Sequence, residues 1–429
     1  MNKLIYSYCF LIPFMNLLKL PMLGRKIQLT EIIFLLLVIQ FLYLVGTQKI
    51  KVNYKMSALI LSWPLSVSIA TLINFNRSSI LELFGSIYLS LLAIIISTLV
   101  LENRIKIQNI LMSILLGGIS AGTLGIIGWL LTQNEYPTSL AWDSSRDYPY
   151  LGKVGRAQGY TTNPNMLASY MVMCSFISWI LFYKKIFSIK VNNLLQIFLS
   201  LVILLTLSKF IVPYIGAQMI TTSIIFFKSK IINKLAYISF IALGIFYLLA
   251  THLLLLENSS ETEKMLINEA YASIEPINQF DSKSLYITNY TINKQASFYA
   301  IQEHPFSGLG GGNFNAYVGK LKEINKYPSF FTNYDPHNTF LGVWAENGLI
   351  AWCVMLLFIV CIFRSIKIQK ESVLRTLLYS YIAYLILEAS VTDIMNFRQY
   401  WIIAAIFIST TIKNSQTLSL HYHLIKKNI

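Results

Sequence analysis

His337 is the residue best suited to acid–base chemistry, because histidine titrates nearest to neutral pH. It lies at the start of a long apolar stretch, and we interpret it as a general base that Asp335 orients and Asn338 supports. Glu346 lies about 180° around a regular helix from His337, so we assign it a supporting role. The alternative is that His337 is only a polar residue at a helix start.

Arg156 belongs to a segment, 155–165, that is typical of the start of a helix. Asn163 is a suitable cap, Pro164 suits the first turn, and Asn165 follows. The segment would hold Arg156 beside the positive end of the helix dipole, which favours anions. The alternative is an ordinary loop-to-helix junction whose arginine reaches the membrane surface.

Lys209 is a second candidate cation, since it follows Ser208 at the end of an apolar run. A cation in or beside a membrane is a functional hypothesis by default, and a lipid diphosphate is a suitable partner. The alternative is a lysine that reaches up to the interface from a helix turn.

The segment 304–314 is rich in glycine, with Gly308, Gly310 and Gly312 in alternation. Such a backbone can approach a ligand closely or turn its amides toward an anion. The segment is not a P-loop, because no Gly-Lys-Ser/Thr sequence follows it.

The composition indicates what must position these residues. The chain has 429 residues, of which 55% are apolar and 12% charged, and a soluble protein would need an implausibly large core to bury them. The net charge of +15 is spread over short clusters between apolar runs, which excludes a continuous nucleic-acid face. We therefore predict an all-α, polytopic membrane protein.

The hydropathy pattern predicts twelve membrane spans. They lie near 4–18, 29–47, 56–74, 79–101, 108–132, 164–183, 191–208, 211–227, 235–256, 338–363, 375–393 and 399–412. The seventh and eighth form a hairpin that turns near Lys209 and Pro213; a single broken helix is the alternative. We expect the acids Glu82, Glu388 and Asp393 to pair with Arg398 or with one another.

The distribution of basic residues predicts the orientation. With the amino terminus inside, nineteen Lys and Arg residues fall on the cytoplasmic side and six on the short outer turns, which follows the positive-inside rule. Both termini are then cytoplasmic. The chain divides into three regions. Residues 1–256 contain helices 1–9 and an outer loop near 132–163. Residues 257–336 form a large and partly helical outer loop, and residues 337–429 contain helices 10–12 and a cytoplasmic tail.

Taken together, these motifs resemble the bacterial O-antigen ligase and polysaccharide polymerase (Wzy-type) family. The resemblance rests on the segment 156–165, on Ser208 with Lys209, on the glycine-rich stretch 305–314, and on His337-Asn338 followed by Glu346 and Gly348. It covers roughly residues 155–351.

The resemblance implies a metal-independent inverting glycosyltransferase of the bacterial inner membrane that needs no cofactor. The donor would be an undecaprenyl-diphosphate-linked glycan, and the acceptor would be a glycan or the lipid A core. The protein would also contact membrane lipid and would not bind nucleic acid. Arg156 and Lys209 would hold the diphosphate and His337 would be the base.

Two departures from the family pattern stand out. The family often has arginine at the position of Lys209, and lysine offers a point charge instead of a bidentate fork. Family members also carry an arginine in the large loop, whereas this loop has none, and Lys294, its nearest cation, is left out of the predicted site.

A secondary transporter is the alternative function, because twelve spans with both termini inside is also a transporter layout. The sequence shows no pair of repeats and no matched broken helices near the midplane, so we favour glycan transfer.

Overall fold

A computed structural model describes the chain except residues 18, 23–24, 143–146, 149–151, 228, 259–272, 274–275, 332–334 and 428–429. The predicted loops 132–163 and 257–336 therefore lie partly outside the described residues. Helices account for 71% of the structure. They are α1 Asn2–Leu11, α2 Leu29–Gly46, α3 Tyr54–Ile73, α4 Arg77–Leu101, α5 Ile107–Gln133, α6 Pro164–Tyr183, α7 Ile189–Leu205, α8 Ile211–Thr222, α9 Lys230–His252, α10 Asn289–Glu303, α11 Phe314–Glu323, α12 Thr339–Lys367, α13 Ser372–Ala389 and α14 Arg398–Lys427.

The strands are short, antiparallel and confined to the connections between helices. They are β1 Lys19–Met22 paired with β2 Arg25–Gln28, β3 Ala141–Trp142 with β6 Arg156–Ala157, β4 Asp147–Tyr148 with β5 Gly152–Lys153, and a three-stranded sheet of β7 Leu253–Glu257, β9 Lys283–Ile287 and β8 Asn278–Phe280, with β9 in the middle. A chain with so little sheet belongs to the all-α class.

The long helices are those of a membrane protein. Within the described residues, eight helices are long and apolar enough to cross a membrane: α2, α3, α4, α5, α6, α9, α12 and α13. The helices α7 and α8, the latter extended by a π-helical turn, Ser223–Phe227, are apolar but shorter. Each of the twelve predicted segments overlaps a helix, but α1 ends at Leu11 instead of residue 18, and the last residues of the predicted span 235–256 form β7. The predicted helical bundle is thus confirmed, whereas the count of twelve spans is not, because eight of the described helices meet the length and hydropathy requirements for a span.

The connection between α7 and α8 is a hairpin. The Ser200 hydroxyl lies 2.9 Å from the Tyr214 hydroxyl. In one straight helix these residues would be about 21 Å apart, at 1.5 Å of rise per residue. The chain therefore turns back through residues 206–210, as predicted, and a single broken helix is excluded.

Several helix ends meet at one end of the bundle, which we call the capped end. Here the Asn74 side chain, after α3, donates to the carbonyl of Gly308 over 3.1 Å. The Thr339 hydroxyl at the start of α12 donates to the carbonyl of Thr392 over 2.8 Å. The helices α10 and α11 cover this end, where they form a small core of their own. That core contains Ile292, Ala296, Ala300, Phe314, Val318 and Leu321.

The expected pairing of Arg398 is wrong. Its guanidinium lies 3.0 Å from the Glu31 carboxylate and also donates to Gln28 and Thr30, so it ties α14 to α2. The carboxylate of Glu388 instead accepts a hydrogen bond from the Tyr400 hydroxyl over 2.8 Å. The sequence pattern could not distinguish these partners, because Glu31 is far from Arg398 in the chain.

Candidate active site

His337 is fixed by the residues around the start of α12. The Asn338 side chain caps this helix, because its oxygen accepts the Leu341 amide over 2.9 Å. The amide nitrogen of the same side chain donates to the carbonyl of Ser390 over 2.9 Å, which anchors the cap to the loop after α13. His337, directly before this anchored cap, therefore has a fixed position at the capped end.

Asp335 acts on His337 through the main chain. Its Oδ1 accepts the His337 backbone N–H over 2.8 Å, and His337 has a left-handed backbone with φ of 48°. The imidazole Nδ1 lies 3.9 Å from the same oxygen, which is too far for a hydrogen bond. Asp335 therefore contacts His337 through its backbone and not through its ring. The carboxylate holds the turn from which the imidazole projects.

The surroundings of His337 favour its neutral form. Its side chain is 17% exposed, and the ring of Tyr290 packs against it with 4.8 Å between centroids. Burial lowers the pKa of His337 below its usual value; the nearby Lys294 ammonium lowers it as well, whereas the Asp335 carboxylate opposes both. At pH 7 the imidazole is therefore neutral and able to accept a proton.

Two lysines lie near this histidine, Lys209 beside the Tyr290 ring and Lys294 within electrostatic range of the imidazole. Lys209, in the turn between α7 and α8, donates to the carbonyl of Ala250 over 2.9 Å, and its Nζ lies 5.6 Å from the centre of the Tyr290 ring. Lys294, on α10, donates to Nε2 of His252 at the end of α9. The turn between α7 and α8, the end of α9, the start of α10 and the residues before α12 thus converge on one place.

The lysines form an arrangement suited to an anion. Desolvation by the surrounding protein lowers the pKa of Lys209 to about 8, although its side chain stays open to solvent, and lowers that of Lys294 to about 8. Both ammonium groups therefore remain mostly protonated at pH 7. Among the residues that the structure describes, neither lysine forms an ion pair with a carboxylate. We call Lys209, His252, Tyr290, Lys294 and His337 the lysine side.

Arg156 lies beside the lysine side, but part of its guanidinium is hydrogen-bonded to other protein groups. Its Nε donates to the carbonyl of Thr206 over 2.6 Å, and one Nη donates to the Asn165 side chain over 2.8 Å. Asn163 caps α6 by accepting the Met166 amide over 2.8 Å. Arg156 thus ties the start of α6 to the turn that carries Lys209, and a direct contact with a diphosphate stays a prediction.

The glycine-rich segment contacts protein instead of lining an open cleft. A Cβ built on Gly308 would lie 2.4 Å from the carbonyl oxygen of Glu346, and Gly308 has φ of 65°. The matching position is Gly348, whose φ of 76° breaks the regular geometry of α12 and whose Cβ would lie 2.1 Å from the Phe306 carbonyl. The segment therefore fits into the break in α12.

The other two predicted glycines lie against the start of α4. A Cβ on Gly310 would lie 2.6 Å from the Ser79 hydroxyl, and one on Gly312 would lie 3.4 Å from the Ser78 side chain. We call Gly308, Gly310, Gly312, Glu346 and Gly348 the glycine side. The glycines of this side allow close packing against other parts of the protein.

Glu346 caps a helix. Its Oε1 accepts the backbone N–H of Phe314 over 3.1 Å, at the start of α11, where the helix dipole favours a negative charge. Glu82 and Asp393 lie within electrostatic range of this carboxyl. The Asp335 and Glu82 carboxylates lie within electrostatic range of Asp393 as well. Acidic groups are thus gathered near the glycine side, and cations on the lysine side.

No protein-family model matches this chain, and no curated protein does either. The family expected from the sequence motifs therefore remains a proposal that rests on those motifs and on the geometry of the capped end.

An apolar cavity of about 150 Å³ lies between α12, α13 and α14. Thr339 and Phe340, which line one end, follow His337 closely in the chain, and Trp401 and Phe407 line it further along the helices. The cavity thus begins next to the residues of the capped end and continues along the apolar part of the bundle.

The sequence interpretation missed three residues of the lysine side. The predicted site leaves out Lys294, whereas the structure places it within electrostatic range of His337. The predicted site also lacks His252 and Tyr290. One signal in the sequence points to His252, because a histidine near the end of an apolar run is an ionisable group at the membrane edge.

Proposed function

We propose that this protein transfers a glycan from an undecaprenyl-diphosphate-linked donor to an acceptor hydroxyl, as an O-antigen ligase or a surface-polysaccharide polymerase. One observation carries the proposal: two lysines without a carboxylate partner in the described residues lie near His337. Lys209 lies beside the Tyr290 ring that packs against His337, and Lys294 lies within electrostatic range of it. Such a site offers cations for a diphosphate leaving group and a base for the acceptor.

The donor would bind with its diphosphate on Lys209 and Lys294. Among the residues that the structure describes, each ammonium makes one hydrogen bond, Lys209 to the Ala250 carbonyl and Lys294 to His252, and an ammonium has three donors. The remaining donors can reach phosphate oxygens. The apolar cavity that begins at Thr339 and Phe340, shortly after His337 in the chain, supports a lipid-linked donor, because an isoprenoid chain requires an apolar path.

The reaction would be a direct displacement. His337 takes the proton of the acceptor hydroxyl while the acceptor oxygen attacks the anomeric carbon. The bond between that carbon and the diphosphate oxygen breaks, and the electron pair leaves with the diphosphate, whose charge the two lysines stabilise. A single displacement inverts the anomeric configuration. The step needs neither a metal nor a nucleotide sugar.

The membrane arrangement follows from the same proposal. All twelve predicted segments would span the bacterial inner membrane, the termini would be cytoplasmic, and the capped end would face outward, where lipid-linked glycans are transferred. The distribution of Lys and Arg supports this orientation.

Complementation of a deletion strain tests the proposal, with surface polysaccharide analysed by gel electrophoresis. We expect wild type to restore transfer, and His337→Ala and Lys209→Ala to leave lipid-linked glycan accumulated, with all three at equal levels in the membrane. A ligase deletion leaves no glycan on the lipid core, whereas a polymerase deletion leaves a single repeat there. Full complementation by both variants would contradict the proposed site and favour a transporter.

A further inference from the structure

The imidazole of His252 has a single proton arrangement that fits its contacts. Its Nδ1 lies 2.7 Å from the carbonyl oxygen of Leu248, and a carbonyl only accepts hydrogen bonds. Nδ1 therefore carries the proton. In the neutral ring Nε2 then has a free lone pair, and this is the atom to which the Lys294 ammonium donates.

A neutral acceptor has a particular advantage at this position. Lys209 and Lys294 both lie within electrostatic range of His252, so positive charge is concentrated around its ring. A carboxylate in place of the imidazole would hold Lys294 more tightly but would cancel one positive charge. The imidazole fixes the ammonium and leaves its charge available to an anion.

The main-chain carbonyl of His252 makes contacts that do not involve the imidazole. Its carbonyl accepts the Thr288 amide over 3.0 Å and the Thr291 hydroxyl over 3.0 Å, which holds the start of α10 against the end of α9. A side-chain substitution leaves both contacts in place. The effect of the imidazole on Lys294 can therefore be measured without removing the contacts that dock α10.

We propose that His252 is a positioning residue of the diphosphate site: its neutral imidazole holds the Lys294 ammonium beside Lys209 with its charge uncancelled. This role rests on the proposed function, since it requires that the two lysines bind the donor diphosphate. His252 touches Lys294 and need not touch the donor.

A double-mutant cycle on the full-length protein in lipid nanodiscs tests this role, with undecaprenyl diphosphate as the probe and its Kd as the readout. The variants are His252→Ala, Lys294→Ala and the pair together, each checked for monodispersity and thermal unfolding. We expect His252→Ala to weaken binding roughly tenfold, as for a lost hydrogen bond to a charged group. In the Lys294→Ala background the same change should have no further effect, because the group that His252 positions is gone.

Two substitutions sharpen the cycle. His252→Gln supplies a neutral acceptor oxygen and should restore the Kd to within about threefold of wild type. His252→Glu also accepts from Lys294 but cancels charge, so it should bind the diphosphate more weakly than His252→Gln. Equal losses in His252→Ala and His252→Gln, or additive losses in the cycle, would overturn the positioning role while the proposed function stands. Failure of the wild type to bind the probe would overturn both.

Discussion

At the capped end, the lysine side and the glycine side differ in what their polar groups contact. On the lysine side, Lys209 and Lys294 meet neutral partners, the Ala250 carbonyl and the His252 ring. On the glycine side, the Glu346 carboxylate accepts the Phe314 amide, and the glycines lie against the backbone or the side chains of other segments. Ammonium groups without a carboxylate partner indicate a site that binds an anion. Glycines that pack against other parts of the protein indicate a structural role. We expect substitutions on the lysine side to change catalysis, and those on the glycine side to change stability.

The largest effect is expected at His337. Replacement by Gln keeps a polar side chain but removes the base, so the transfer rate should fall by about 10²- to 10⁴-fold with little change in thermal stability. His304→Gln is the matched control, because His304 is exposed on the glycine-rich segment and should retain the wild-type rate. A His337→Gln variant with normal turnover would remove the catalytic distinction between the two sides.

On the glycine side, Gly308→Ala should destabilise the protein. The substitution places a Cβ about 2.4 Å from the Glu346 carbonyl at a φ of 65°, and a strained left-handed residue costs roughly 1–3 kcal/mol before the clash is counted. Gly319→Ala, inside α11 with nothing within 4 Å of its Cβ, should be neutral or slightly stabilising. Thermal unfolding in detergent measures both.

Turnover per folded molecule separates the two explanations for Gly308. The supporting role predicts that the Gly308→Ala protein that does fold transfers glycan at a rate near that of wild type. A stable Gly308→Ala protein without activity would instead place the glycine-rich segment in contact with the ligand.

The pH profile of kcat/KM should be bell-shaped. Activity falls at acidic pH as His337 is protonated through a pKa below 6.5, and falls at alkaline pH as Lys209 and Lys294 lose protons through pKa values of about 8. In the Lys209→Arg/Lys294→Arg protein the guanidinium groups stay charged, so the alkaline limb should move upward by at least about one pH unit. Lys320→Arg on α11 is the control. An unmoved alkaline limb would assign that titration to other groups.

Asp335→Asn should have the smallest effect. Asparagine keeps an oxygen that accepts the His337 amide but removes the carboxylate charge, which raises the pKa of the imidazole. The pKa of His337 should therefore fall, and the acidic limb should move down by about half a pH unit. Asp281→Asn, exposed in a distant strand connection, is the control. A shift of the acidic limb in the opposite direction would contradict the assigned contact.

The sequence predicted the helices well because their signals are local. Apolar runs, Asn163 and Asn338 as caps, and Pro213 at a helix start each act within a few residues. Most observed helix bounds follow these signals, although α1 and α9 end before the predicted spans do. Lys209 and His337 lie at predicted ends of spans on the same side, and in the structure both lie beside the Tyr290 ring.

The rest depends on contacts between distant parts of the chain. Lys294 reaches the site only because α10 docks on the end of α9, and nothing near Lys294 in the sequence indicates that docking. The sequence pattern favours a ligand-binding role for the glycines because it does not show that Gly308 packs against Gly348. Gly348 lies 40 residues later, inside an apparently regular helix. Local patterns do not specify which surface a flexible backbone will approach.

The most direct test is a transfer reaction with the purified protein in nanodiscs, supplied with lipid-linked glycan extracted from the deletion strain and with its acceptor, and measured by release of undecaprenyl diphosphate. We predict release by wild type, at least about 100-fold slower release by His337→Ala, and a raised donor KM in Lys209→Ala and Lys294→Ala. No release by wild type, or full release by His337→Ala, would contradict glycan transfer at the lysine side.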